Sequence, residues 1–170
     1  TGQATRILAI TADTYSHYLN DNDHSVRSLF GDGAAAVLLG NQNSTSRIGP
    51  FVNGTDGSGS HDLIVENGAH RELANSGIIS QPRIAMKGPS VFNFAMQTVP
   101  KCLDSLLDKA QLSSDEIDYL VLHQANRFML NNLFDKMKIK EQQQVVEMEN
   151  CGNTVSSSIP IALARAVSNG

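Results

Sequence analysis

The chain has 170 residues, of which 41% are hydrophobic and 18% charged. This balance is typical of a folded globular protein with a sizeable core, and it excludes a disordered chain. The net charge of −4 gives no overall attraction to nucleic acid or to an anionic membrane. No apolar run approaches the roughly 18 residues of a membrane span, and the N-terminus lacks the pattern of a signal peptide. Two cysteines are too few for a disulfide framework, so we expect a reducing, cytoplasmic location.

The first quarter of the sequence predicts two strands joined by a polar loop. The stretch "RILAITAD" at 6–13 reads as a buried strand. A second strand follows in "LFGDGAAAVLLG" at 29–40, whose small residues suit very close packing. The turn-rich "NQNSTS" at 41–46 then predicts a linker between two lobes. These features divide the chain into residues 1–45 and 46–170.

The middle of the chain predicts strands and then helices. Residues 47–70 read as strand, glycine-rich loop and strand. A long amphipathic helix begins at Pro89, and Pro100 inside it predicts a kink or a break. Ser113 and Glu116 have the spacing of a capping box, which indicates the start of a short helix.

Two further strand predictions end next to polar residues. Tyr119–Leu122 reads as a buried strand that stops at His123, and a helix follows. "QQVVEME" at 143–149 reads as another strand, which leads through a loop to a last helix, "IPIALARAV" at 159–167. Strands alternating with helices indicate an α/β protein with mainly parallel strands.

His123 and Asn153 are the first candidate site residues. Ligands of layered α/β folds gather beyond the carboxyl ends of the strands. His123 ends one predicted strand, and Asn153 lies between another strand and a helix. From the residues alone, the histidine also fits a structural role, and the asparagine also fits a helix cap.

Four ordered motifs resemble the ketoacyl-acyl-carrier-protein synthase III family of the thiolase-like superfamily. They are "LFGDGAAAVLLG", "MKGPSVFNFA", "LHQAN", and "GNT" followed by a serine-rich turn and "IPIAL". The resemblance implies a thiolase-like layered α/β fold, with mixed, mainly parallel sheets between helices. It also implies that residues 1–45 end the N-terminal lobe, and that 46–170 form most of the C-terminal lobe.

The resemblance implies an acyltransferase. In this family a cysteine thiolate takes an acyl group from a thioester, usually acyl-CoA, and malonyl-carrier protein then loses CO2. The resulting enolate attacks the enzyme-bound thioester in a Claisen condensation. His123 and Asn153 match the family's catalytic histidine and asparagine. An imidazole N–H and a carboxamide N–H suit this chemistry, because both donate to the oxygen on which negative charge develops.

The same resemblance leaves the nucleophile outside the chain. The family's cysteine would precede the segment that resembles residues 1–10, and its final glycine-rich strands would follow the last helix. Cys151 lies before a helix rather than at its N-terminus, and Cys102 sits on an apolar helical face. We therefore expect the 170-residue chain alone not to catalyse condensation.

Several family positions for substrate binding carry unusual residues here. The family often has an Asp-Arg pair against the CoA adenine, where this chain has Asp23-His24. Histidine lacks the guanidinium's permanent charge and fork, so a carrier-bound acyl donor becomes an alternative to acyl-CoA. Gly88 and Phe92 of the second motif are the other candidate substrate-binding residues, and Pro89 offers no backbone donor.

A basic segment is the candidate site for docking of the acidic acyl carrier protein. Residues 127–140 carry four basic residues and one acidic residue, and such an excess favours an acidic partner. The family's docking arginine falls on Phe128, with Arg127 one residue earlier and Asn126 ending the histidine motif. A solvated helix face is the alternative interpretation of the same charges.

The sequence thus predicts a 3-oxoacyl-acyl-carrier-protein synthase III-type acyltransferase of fatty-acid or related biosynthesis. Acceptor choice, carbon against oxygen or nitrogen, stays open. The alternative is a non-catalytic thiolase-fold module for dimerisation or carrier-protein binding. We expect no cofactor besides thioester substrates, no metal, no nucleic-acid or membrane partner, and a homodimer. The possible ligands in "HDLIVENGAH" match no compact metal motif.

Overall fold

The computed structural model describes residues 4–40, 48–65 and 82–169. The predicted linker at 41–46, with its boundary between the two lobes, lies outside these ranges, as do residues 66–81. In chain order the elements are β1 (Arg6–Asp13), α1 (His24–Arg27), β2 (Gly33–Gly40), β3 (Leu63–Val65), β4 (Ile84–Met86), α2 (Gly88–Ala110), α3 (Arg127–Met137) and α4 (Ser158–Asn169).

The first two strands form an antiparallel ribbon. Arg6 pairs with Gly40 and Asp13 with Gly33, so the two predicted strands are confirmed. The prediction that β1 is buried is wrong for most of its length. A two-stranded ribbon covers little of its own surface, and other described elements pack only near one end of it. Its apolar side chains therefore stay exposed, including Ile7, Leu8, Ile10, Val37 and Leu38.

A second antiparallel pair joins β3 and β4, with Leu63 opposite Met86. Of the two strands predicted within 47–70, only β3 forms among the described residues, and β4 is an additional strand. The expectation of mainly parallel strands is not met in the described ranges. Both ladders there are antiparallel, and parallel pairing is confined to the isolated bridges Phe30–Asn153 and Leu120–Gln144.

The segments predicted as strands at 119–122 and 143–149 do not form strands: they share one isolated parallel bridge, Leu120–Gln144, and Gln143 belongs to a 3₁₀ turn. The buried side chain of Gln124 takes the place of further ladder bonds. Its Nε2 donates to the carbonyls of Leu122 and Val145, at 2.7 and 3.3 Å, and its Oε1 accepts from the N–H of Glu147 at 2.9 Å. The side chain of Gln124 therefore fixes the backbone just after His123 to the neighbouring segment around Val145 and Glu147.

Helices α2 and α3 pack together and close the core. Leu130, Phe134 and Ile139 form the buried cluster, against which Leu103 of α2 also packs. α2 runs unbroken through Pro100, so of the predicted kink or break the break does not occur. The missing N–H of one proline removes a single hydrogen bond, and the packing of α2 on α3 maintains the helix around it.

The helix starts near the candidate site follow from local capping. Oδ1 of Asn126 accepts from the N–H of Met129 at 2.7 Å and so starts α3. The capping box of Ser113 and Glu116 is confirmed, although it starts a single 3₁₀ turn. The last predicted helix is confirmed as α4, which follows a 3₁₀ turn at Val155–Ser157. Among the described residues, no helix combines the length and apolar character needed to cross a bilayer.

Candidate active site

A cavity of about 360 Å³ lies between α2, α3 and the loops that contain the two candidate residues. His123 and Asn153, 30 positions apart in the sequence, both line it, and so do Gly88 and Asn126. Most of the remaining wall is apolar and includes Val91, Phe94, Ala95, Met129 and Leu133. The cavity therefore combines a few polar groups with an apolar wall, as is typical of a binding site for a small, largely apolar ligand.

His123 follows the extended segment that ends at Leu122. Its Nδ1 lies 2.6 Å from Oγ of Ser158, the first residue of α4. His123 lines the cavity and as a residue is exposed, although the protein packed around its ring displaces part of the surrounding water. This desolvation lowers the pKa of His123 from its ordinary value of 6.5. The imidazole is consequently neutral near pH 7, with one N–H to donate.

Asn153 is only 5% exposed and is held by both its side chain and its backbone. Oδ1 accepts from the N–H of Val155 at 2.9 Å. Because a backbone N–H needs an acceptor, this bond fixes which end of the carboxamide is oxygen. The Nδ2 group is thereby left as the end available to a ligand in the cavity.

The backbone around Asn153 is clamped to the segment before β2. Its N–H donates to the carbonyl of Leu29 at 2.9 Å, and its carbonyl accepts from the N–H of Gly31 at 3.0 Å. The approach is close enough that a Cβ on Gly31 would lie 2.1 Å from the carbonyl oxygen of Cys151. The small residues of "LFGDGA" thus allow the close backbone contact that positions Asn153. They also allow close packing of β2.

The predicted substrate-binding residues fall into two groups. Gly88 begins α2 at the cavity wall, with open space where a Cβ would point. Phe92 and Phe128 stack on each other, with ring centroids 5.5 Å apart and an interplanar angle of 28°. Phe92 follows Val91, and Phe128 precedes Met129, both of which line the cavity. The aromatic pair therefore adjoins the cavity and joins α2 to α3.

His24 lies apart from this group. It is exposed at the start of the four-residue helix α1 and is not one of the residues that line the cavity. Asp23 accepts from the N–H and the hydroxyl of Ser25, and these hydrogen bonds lower its pKa. The Asp23-His24 pair thus forms a helix start on the surface.

The basic segment is partly neutralised by neighbouring acids. Arg127 pairs with Glu149, and Lys140 pairs with Asp115 at 2.6 Å. These pairs are exposed and contribute little to stability. Lys136 and Lys138 have no ion pair within the described ranges, so they carry most of the remaining positive charge of α3 and its C-terminal end.

Several residues of the site escape prediction from sequence. Tyr15 and Phe30 line the cavity and pack with ring centroids 5.0 Å apart. Burial, aided by Asp13 and Tyr18, raises the pKa of Tyr15. Ser158 also went unassigned, because three serines in a row give no sign of which one faces the histidine. Only its place in the serine-rich turn of the family motif offered a signal.

The possible metal ligands and thiols lie away from this cavity or outside the described ranges. Glu66 and His70 fall in the range that is not described. Asp62 instead pairs with Lys87 at 3.1 Å. No group of three potential ligands occurs in the part of the chain that the structure describes. Cys102 and Cys151 are both free thiols, and neither lines the cavity.

Two family profiles match the sequence. Residues 1–57 match 3-oxoacyl-[acyl-carrier-protein] synthase III, and residues 107–170 match the C-terminal part of the same synthase. A beta-ketoacyl-[acyl-carrier-protein] synthase III from Nostoc sp. is 37% identical across 100% of this chain, which covers 52% of that protein. The chain spans about half the length of the curated relatives it matches.

Solved structures agree with this assignment. A 3-oxoacyl-(acyl-carrier-protein) synthase III superposes with a TM-score of 0.89 and 46% identity, over 99% of this chain and 54% of the other. The synthase III from Thermus thermophilus gives a TM-score of 0.87 and 31% identity, over 99% and 52%. The fold is therefore of the thiolase-like α/β class, as the sequence motifs implied. Within that class, the chain belongs to the 3-oxoacyl-[acyl-carrier-protein] synthase III family.

Proposed function

We propose that the protein catalyses decarboxylative Claisen condensation between an enzyme-bound acyl thioester and malonyl-carrier protein. One observation carries the proposal: the imidazole of His123 and the oriented carboxamide of Asn153 line the same apolar-walled cavity. Both groups are N–H donors, and neither needs a counterion when water is excluded. Such a pair is suited to an oxygen that becomes negative during the reaction.

The proposed reaction balances as follows. The carbon–carbon bond to the malonyl carboxylate breaks, CO2 leaves, and its electron pair forms an enolate on the carrier thioester. The N–H groups of His123 and Asn153 donate to the enolate oxygen. The enolate carbon then attacks the acyl thioester carbonyl, and the cysteine thiolate is released as the leaving group. The apolar wall would hold the acyl chain and keep water from protonating the enolate.

We place the acyl-carrying thiol outside the 170 residues, because neither Cys102 nor Cys151 lines the cavity. We propose acyl-CoA or an acyl-carrier protein as the donor, with no cofactor beyond these thioesters. The replacement of the family's arginine by His24 supports a donor site that does not depend on an Asp-Arg pair. A fatty-acid or related pathway fits these substrates, and two free thiols fit the cytoplasm.

We further propose a homodimer. The family resemblance supports this proposal; the apolar side chains exposed on the β1–β2 ribbon of this half-length chain fit a contact either with a second copy or with the rest of the protein. Light scattering of the full-length protein would test it, and a monomer at all concentrations would exclude it.

The catalytic proposal is tested by the release of labelled CO2 from malonyl-carrier protein by the full-length protein. His123→Ala and Asn153→Ala should each lower kcat by about 10²–10³, the usual cost of losing one such donor. His61→Ala and Asn131→Ala change exposed residues of the same types and should leave kcat unaltered. Full activity in both cavity variants would remove the catalytic proposal and leave a binding module.

A further inference from the structure

We infer that Ser158 is a positioning residue that fixes the tautomer and orientation of His123. The starting observation is the short contact of 2.6 Å between Oγ of Ser158 and Nδ1 of His123. Ser158 is 2% exposed, so water does not compete for its hydroxyl. The inference rests on the proposed function, because it concerns the donor that His123 offers to the cavity.

The direction of this hydrogen bond follows from a third group. The backbone N–H of Gln124 points at the same Oγ, at 3.4 Å. This N–H is a donor only, so the hydroxyl oxygen must accept from it. The hydroxyl hydrogen is then free to be donated to Nδ1.

The opposite arrangement, in which Nδ1 carries the proton, would leave one hydrogen-bond donor without an acceptor. If Nδ1–H donated to Ser158, the hydroxyl hydrogen would have to find a different acceptor inside a buried site. Among the described residues, the structure gives Ser158 Oγ no partner other than His123 and Gln124. A buried donor without an acceptor is energetically unfavourable. The arrangement in which Ser158 donates satisfies all three groups.

The consequence lies on the other side of the ring. With Nδ1 accepting from Ser158, the neutral imidazole carries its proton on Nε2. Nε2–H is then the donor available to the enolate oxygen. Without Ser158, the ring would be free to rotate or to move its proton to Nδ1, and the cavity would face a bare acceptor that repels an anionic oxygen.

The fold explains why this serine can act so reliably. Ser158 is the first residue of α4, and its own N–H donates to the carbonyl of Val155. Oγ of the neighbouring Ser157 is within 2.9 Å of Oγ1 of Thr11, and it donates to the carbonyl of Gly33 at 3.2 Å. Adjacent serines therefore have separate tasks: Ser157 joins the ribbon to the helix, and Ser158 holds the histidine.

The test uses Ser158→Ala, with Ser157→Ala as the matched control and Ser158→Thr to restore a hydroxyl. Long-range ¹H–¹⁵N spectra report which imidazole nitrogen carries the proton. We expect the Nε2–H pattern in the unaltered protein and a loss of that pure pattern in Ser158→Ala. Ser157→Ala should keep the wild-type pattern, and Ser158→Thr should restore it. Thermal unfolding of each variant shows that it is folded.

Kinetics give the second measurement. Ser158→Ala should lower kcat for CO2 release by about 10–100-fold, which is typical for loss of an orienting partner, with little change in KM. A Ser158→Ala variant that keeps the wild-type nitrogen shifts overturns the inference. Absence of CO2 release from the unaltered protein would instead remove the proposed function, and the nitrogen shifts would still decide the role of Ser158.

Discussion

Val155 donates its backbone N–H to Oδ1 of Asn153 at 2.9 Å, and it adopts a φ of +54° while doing so. A β-branched residue rarely occupies this left-handed region. The candidate active site thus contains a strained backbone turn whose hydrogen bond sets the direction of the asparagine side chain.

Asn153→Asp separates the two tasks of this side chain. A carboxylate oxygen can still accept from Val155, so the turn and the fold should persist. The N–H donor is lost, however, and a negative charge enters where the enolate forms. We expect kcat for CO2 release to fall by at least about 10³, with a nearly unchanged circular dichroism spectrum. A variant with more than a tenth of wild-type kcat would contradict the proposed donor role of Asn153.

Val155→Asn should stabilise the protein, because asparagine tolerates the left-handed region far better than valine. Strain of this kind costs on the order of 1–3 kcal/mol, so a gain of about 1 kcal/mol in the free energy of unfolding is expected. Urea unfolding measures it. Val155→Ile keeps the β-branched side chain and serves as the control, with no gain expected. Equal stabilities for the Asn and Ile variants would show that the turn is not strained.

Gly31→Ala tests the clamp around Asn153. The added Cβ would lie 2.1 Å from the carbonyl oxygen of Cys151, so the backbone must shift. We expect a loss of about 1–3 kcal/mol in unfolding free energy, together with reduced kcat. Gly40→Ala is the matched control, since its Cβ would make an ordinary contact of 3.8 Å with Thr5. Comparable stability in both variants would refute the close approach.

His123 should make stability depend on pH. Its lowered pKa means that the unfolded chain takes up a proton before the folded protein does. The contribution of the neutral ring is therefore present above pH 6.5 and is lost as the pH falls from there toward the folded-state pKa. Tyr15, the other titratable side chain lining the cavity in the described ranges, does not ionise there.

The measurement is the unfolding free energy of wild type minus that of His123→Gln, determined from pH about 8 to about 5. The difference should be largest at the alkaline end and decrease toward the acidic end. A difference that grows on acidification would show that the folded protein prefers the imidazolium, contrary to the neutral donor proposed for His123.

Lys136 and Lys138 test carrier docking, since among the residues that the structure describes they lack ion pairs of the kind that occupy Arg127 and Lys140. Reversing both to Glu should raise KM for malonyl-carrier protein severalfold, leave kcat nearly constant, and weaken the effect of salt on KM. Lys101→Glu, an exposed reversal on α2, provides the control. An unchanged KM would favour a solvated helix face.

The helices and their ends could be predicted well from the sequence because their signals are local. Pro89 and the Ser113–Glu116 pair each act within one turn. The residues of the site could be predicted only through the family motifs, since nothing within a few positions of His123 indicates that Asn153 shares its cavity. Both residues do line it, and their catalytic roles remain predictions.

Strand pairing was the weakest part of the prediction, for a physical reason. An apolar run shows that a segment is extended, but it does not show its partner. At 119–124 the buried Gln124 amide replaces ladder bonds, and its three partners come from its own segment (Leu122) and from the neighbouring one (Val145 and Glu147). The exposure of β1 could not be predicted from the sequence either, because the burial of a strand depends on which other elements cover it.

The backbone hydrogen bonds that clamp Asn153 to the Leu29–Gly31 segment are the part of the candidate site that heat should disrupt first. The segment leads directly into a narrow ribbon with little cover, whereas His123 is held by the helical core. On warming, the 170-residue chain should loosen at this ribbon first and separate Asn153 from His123 while most helices persist. The geometry of the candidate site would then be lost at a lower temperature than global melting, through local opening rather than denaturation.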